Sequence, residues 1–213
     1  MKLLSSRIDF NFYLITDRKQ TNERDLGAVV EQALRGGIRA VQLREKDLSS
    51  RELYELACEM RGITSRYEAR LIINDRIDIA LAVDADGVHL GCNSIPIHQA
   101  RMVLGEKRLI GASCHNKEQA ITAQKEGADF ITFGPVYSTP SKAVYGDPVG
   151  VEKLHEIIPL MNIPVFALGG IKNSNVAEVM AAASHCIAAI SAVLSAEDPC
   201  LAAKNFLSVL PPF

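Results

Sequence analysis

The chain has 213 residues, 48% hydrophobic and 23% charged, a composition able to bury a substantial core. Its 23 Lys and Arg against 25 Asp and Glu leave a net charge of −2, with no basic block or stripe that would neutralise a phosphate backbone, so nucleic-acid binding is not expected. Five scattered cysteines (Cys58, Cys92, Cys114, Cys186 and Cys200) show no C-x-x-C spacing for zinc or redox work and read as reduced thiols, mostly core filler.

Met1 to Asp17 interrupts its few apolar residues with Arg7, Asp9 and Asp17, which suits neither a signal peptide nor a membrane span; a cytoplasmic protein with no membrane partner is expected. From there, short β-branched runs alternate with amphipathic stretches eight times. The predicted strands are FYLITD (12–17), AVQLREK (40–46), RLIIND (70–75), GVHLG (87–91), RLIGASC (108–114), FITFGPV (130–136), VFALGG (165–170) and CIAAISAV (186–193). Each is followed by a predicted helix. LGAVVEQALRGG carries Val29, Ala33 and Leu34 at helical spacing and stops at Gly36 and Gly37, and DPCLAAKNFLSVL starts from Asp198 as cap with Pro199 in its first turn. Eight units of roughly 27 residues predict an α/β protein, a (β/α)8 TIM barrel filling residues 1–213 as a single domain. A doubly wound open sheet is the alternative, weakened by the absence of a Gly-x-Gly-x-x-Gly after the first strand. The oligomeric state is left open, a homo-oligomer included.

Such barrels carry their chemistry at the C-terminal ends of the strands. The second strand ends in Gln42, Arg44 and Lys46, which a period of two puts on one face; two cations and an amide there can hold an anion, while a solvated strand end with Glu45 as partner is the alternative. The third ends in Asn74 and Asp75. Asp75 could hold Mg2+ beside a phosphate, or could only cap the helix IDIALAV, the commoner role for such a residue. The fifth puts Ser113 and His115 on one face by the same alternation. The connection GPVYSTPSKAVYGDPVG supplies Thr139, Ser141 and Lys142, two hydroxyls and a cation suited to phosphate, in a loop long enough to suggest function. Gly169 and Gly170 end the seventh strand, and Ile190 and Ser191 lie on the eighth, where barrels of this kind place a phosphate site.

Taken in order, YLITD, QLREK, IINDRIDIA, GVHLG, IGASCH, FGPVYSTPSK and ALGGI resemble the thiamine-phosphate synthase and thiazole tautomerase superfamily over nearly the whole chain. Resemblance to the synthase branch implies a Mg2+-dependent transferase. It would join 4-amino-2-methyl-5-hydroxymethylpyrimidine diphosphate to a thiazole (carboxylate) phosphate, releasing pyrophosphate through a pyrimidinylmethyl cation. It further implies that Gln42, Arg44, Lys46, Asn74, Ser113 and Lys142 meet the pyrimidine diphosphate. Thr139, Ser141, Gly170, Ile190 and Ser191 would meet the thiazole, and Asp75 the metal.

Two positions depart from the synthase pattern. A second metal carboxylate is expected after GVHLG, where this chain reads Cys92, Asn93, Ser94; spacing puts Ser94 at that position, or Asn93 with a shift of one. The approach to the eighth strand, Ala183, Ser184, His185, Cys186, is bulkier than the glycine-containing steps common there. In the tautomerase branch His115 would be the acid/base that aromatises a thiazole carboxylate phosphate. The missing carboxylate favours that branch; Asp75 and the intact QLREK favour the synthase, which is the preferred expectation. A silent barrel that only binds a phosphorylated thiazole is a third reading.

Overall fold

The structure is a computed structural model and describes residues 7–138, 148–182 and 185–211. Eight parallel strands close into a barrel in sequential order: β1 (Phe12–Ile15), β2 (Ala40–Leu43), β3 (Arg70–Asn74), β4 (Gly87–Leu90), β5 (Leu109–Cys114), β6 (Phe130–Phe133), β7 (Val165–Leu168) and β8 (Cys186–Ala189). The expected (β/α)8 barrel is therefore the fold, and β1 pairing with β8 removes the edge that an open sheet would keep.

The strands read as near-continuous apolar runs because both of their faces are covered. Phe12, Leu14, Val41, Leu43, Leu71 and Ile73 face the helix layer, while Tyr13, Ile15, Ala40 and Ile72 face inward. At the N-terminal end Phe10 plugs the barrel, its ring 5.3 to 5.9 Å from those of Tyr13, Phe130 and Phe166. Ion pairs of Arg7 and Arg101 with Asp129, and of Arg61 and Arg70 with Asp86, ring the same end. That face is thus committed to holding the barrel together, and the opposite one is available for chemistry.

Four of the nine α-helices among the described residues begin at a side-chain cap. Asp25 accepts from Ala28 N to start α1 (Leu26–Arg35), and Ser49 forms a reciprocal capping box with Glu52 at α2 (Ser50–Arg66). Next come α3 (Ile77–Ala82), α4 (Ile97–Leu104), α5 (Lys117–Lys125), α6 (Gly150–Ile157), α7 (Val176–Ala181) and α8 (Ser191–Leu194). Asp198 caps α9 (Pro199–Val209) by accepting from Leu201 N, as its position before Pro199 predicts.

Every expected strand is present, but seven end between one and four residues before the expected boundary. The apolar pattern of CIAAISAV continues past the pairing: β8 stops at Ala189 and the last residues turn into α8. Apolar patterning marks burial, and a buried helical turn satisfies it as well as a strand does.

Candidate active site

Of Gln42, Arg44 and Lys46, only Gln42 lies within β2, which ends at Leu43. Gln42 points into the barrel, 1% exposed, and its Nε2 donates to the Tyr13 hydroxyl at 3.0 Å. Glu45 is not the partner of the neighbouring cations. It is 6% exposed, accepts from the Thr16 hydroxyl at 2.7 Å and from the backbone N–H of Arg18 at 3.1 Å, and pairs with the Arg18 guanidinium. Arg18 also grips Asp47 and, together with Lys19, holds that carboxyl well below the usual range. Among the described residues the half-buried Arg44 and the exposed Lys46 have no ion-pair partner, so their charge is available to an anion.

Beyond β3, Asp75 does not cap α3. That helix starts from Arg76 with no side-chain cap, and Asp75 takes a left-handed φ of 60°. Its N–H is held by the carbonyl of His89 at 3.0 Å. Its carboxylate accepts from the Ser94 hydroxyl, from Asn74 Nδ2 at 2.8 Å and from Gly91 N at 3.4 Å. A non-glycine residue in this conformation costs about 1–3 kcal/mol and persists only where neighbours hold it, which is characteristic of functional corners. Ser94 is the residue that meets Asp75; Asn93 is exposed. Among the described residues no group of three or more His, Cys, Asp or Glu converges as a metal cage, so the donors here are one carboxylate, a hydroxyl and an amide.

Ser113, on β5, turns inward and its Oγ lies 3.0 Å from His89 Nε2. His115 does not continue that face, because β5 stops at Cys114. Its Nδ1 bonds the carbonyl of Gly134, and the ring lines a cavity of about 250 Å3 with Phe133 and the α5 and α6 residues Lys117, Lys153 and Glu156.

A cavity of about 670 Å3 opens where β7 and β8 end, lined by Gly169, Gly170, Ile190, Ser191, Lys172 and Gln20 among others. The glycine pair is required by backbone geometry. Gly169 and Gly170 have φ of 103° and 67°, and a Cβ on Gly170 would come within 2.7 Å of Tyr137 Cβ. Thr139, Ser141 and Lys142, like Ala183 and Ser184, lie outside the described residues. Three contributors escape the sequence reading. Lys172 follows the glycine turn, and Tyr13 and His89 could have been found by the inward parity that they share with Gln42 and Ser113.

A parallel barrel with cations, a carboxylate corner and a glycine-walled cavity at its C-terminal mouth defines the class of (β/α)8 enzymes that handle phosphorylated small molecules. Residues 12–193 match the family model for thiamine monophosphate synthase, and the chain belongs to that family. A Geobacter sulfurreducens protein, provisionally named a thiamine-phosphate synthase, is 57% identical over 97% of each chain. The thiamine-phosphate synthase of Clostridium novyi is 44% identical over 95% of this chain and 99% of that protein. The solved structure of a thiamine phosphate pyrophosphorylase from Pyrococcus furiosus superposes with a TM-score of 0.87 at 38% identity, over 96% of each chain.

Proposed function

We propose that the protein couples 4-amino-2-methyl-5-hydroxymethylpyrimidine diphosphate to a thiazole phosphate, giving thiamine phosphate and pyrophosphate. The observation that carries this reading is that Arg44 and Lys46, without an ion-pair partner among the described residues, follow β2 beside the Asp75 corner that follows β3, with the Gly170 cavity as the candidate second anion site. A tautomerase has no diphosphate for the first of these. The His115 that it would need is bonded to Gly134 O and lines a different cavity.

In the coupling, the methylene carbon–oxygen bond breaks with its electron pair leaving on the diphosphate, and the thiazole nitrogen donates its lone pair to the new carbon–nitrogen bond. The barrier is separation of charge, so fixed cations on the leaving group matter more than a base. Arg44, Lys46 and, from the sixth connection, Lys142 serve that end. Gln42, its amide nitrogen held by Tyr13, offers its carbonyl oxygen to the pyrimidine; Asn74 and Ser113 complete that side. Thr139, Ser141, Gly170, Ile190 and Ser191 receive the thiazole and its phosphate, with Lys172 as an added cation.

The donor set at Asp75 fits Mg2+, which is commonly bound through one or two carboxylates, water and substrate phosphates. Asp75 would hold it, with Ser94 as a neutral neighbour. When bound, the ion supplies charge neutralisation on the diphosphate. The same reading takes residues 1–213 as one domain working in the cytoplasm; no helix among the described residues is long and apolar enough to cross a membrane.

The test is pyrophosphate release by the purified protein with Mg2+ and both substrates. Stoichiometric pyrophosphate and thiamine phosphate are expected, and no release at saturating metal would overturn the assignment.

A further inference from the structure

We propose, resting on the coupling function above, that His89 is a positioning residue. It fixes the hydroxyl of Ser113 and so sets the orientation in which that hydroxyl meets the pyrimidine diphosphate. His89 lies on β4 between Val88 and Leu90, which face the helices, so its own side chain faces the barrel interior, where it is 2% exposed. The imidazole sits among the rings of Tyr13 and Phe130, at centroid distances of 5.7 and 5.8 Å. Its room comes from its register partner on β5. A Cβ on Gly111 would approach His89 Nδ1 to 2.5 Å, so only glycine leaves space for the ring in this position.

Placed this way, Nε2 reaches across the sheet to two hydroxyls, Ser113 Oγ at 3.0 Å and Thr132 Oγ1 at 3.4 Å, themselves register partners on β5 and β6. One ring nitrogen has one role at a time. With its proton on Nδ1, Nε2 accepts the Ser113 hydroxyl hydrogen and leaves the serine oxygen lone pairs for a substrate donor. With the proton on Nε2, it donates to Ser113 and frees the serine hydrogen for a substrate acceptor. In either state the position of the serine oxygen is held before substrate arrives, which removes an ordering cost from binding and reaction. Space-filling alone does not explain a histidine here. The rings against it are those of Tyr13 and Phe130, a phenylalanine would pack there equally, and burying an imidazole is costly unless its polar atoms are used.

The test is a double-mutant cycle on the coupling reaction, with pyrimidine diphosphate binding followed separately by calorimetry. His89→Phe is expected to lower kcat/KM for the pyrimidine diphosphate about tenfold, the scale of one ordinary hydrogen bond, while KM for the thiazole phosphate stays within about twofold. In a Ser113→Ala background the same substitution should change nothing further. His89→Gln, whose amide nitrogen can reach the Nε2 position, should retain most activity, whereas His89→Asn, which cannot, should behave like His89→Phe. If His89→Phe does not fold, the Gln and Asn variants decide the matter alone. Equal losses with and without Ser113, equal activities of the Gln and Asn variants, or matching changes in both KM values would overturn the role. A parent that couples but gives an additive cycle rejects only this inference. A parent that neither binds the pyrimidine diphosphate nor releases pyrophosphate rejects the coupling function and this inference with it.

Discussion

The hydroxyl of Ser94 lies against the carboxylate of Asp75 and receives the N–H of Gly91 at 2.7 Å. The two residues come from the ends of adjacent strands, β3 and β4. Their contact leaves the corner with one negative charge where a second carboxylate would give two. It also locks the loop after β4 to the strained backbone of Asp75.

Replacing Ser94 by Asp puts a second carboxylate on the first. In chelator, repulsion and loss of the hydrogen bond should destabilise the variant by about 1–2 kcal/mol, or roughly 2–8 °C in Tm for a chain of this size. Mg2+ should reverse that loss and raise Tm more than it does for the parent, and half-maximal coupling should need less metal. Thermal melts with and without Mg2+ check it; a variant whose Tm ignores the metal contradicts the assignment of this corner.

Asp75→Asn tests charge separately from shape. Asparagine tolerates the left-handed backbone and keeps an oxygen for Ser94, so Tm should move by no more than about 4 °C. Coupling should fall by about 10²-fold, as expected when a charged group that serves the transition state is removed. An Asn variant within threefold of the parent would show that the carboxylate has no such part.

At the Gly170 cavity, the proposed thiazole phosphate site, Gly170→Ala forces a side chain into a left-handed turn and against Tyr137, at a cost of at least about 1–2 kcal/mol. KM for the thiazole phosphate should rise while pyrimidine diphosphate affinity is kept. Lys172→Ala should raise the same KM about tenfold with no loss of Tm, since the side chain is exposed. Steady-state kinetics with each substrate varied in turn separate these outcomes from a general loss of folding.

Stability should decline on the alkaline side. Burial pushes the thiols of Cys114 and Cys186 well above their ordinary value, up to about 12, with Cys92 adding to the effect at Cys114. The folded state therefore holds those protons more tightly than the unfolded chain does. Their contribution is complete below the unfolded thiol pKa of about 8.5 and is lost as pH rises from there towards 12. Urea midpoints measured from pH 8 to 11 should fall in the parent and fall less steeply in a Cys114→Ala/Cys186→Ala variant; identical slopes would contradict the assignment.

The alternation of apolar runs and amphipathic stretches, the cap at Asp198 and the glycines at 169 and 170 are local patterns, and they specified eight β/α units and where the last helix begins. Family motifs added the names of the site residues. Neither source could place residues beyond the strand ends, where a period of two no longer applies. Gln42 and Ser113 face inward because they lie within paired strands, whereas His115, one residue past β5, turns to Gly134. From its neighbours alone Asp75 reads first as a helix cap, until the loop after β4 brings Ser94 and Gly91 to its carboxylate. Glu45 reads as a partner for Arg44 until Thr16 and Arg18, arriving from β1, take it away. Local sequence fixes periodicity and burial. Which polar group meets which across the mouth depends on strand register and barrel closure, and those are set by contacts between residues distant in the chain.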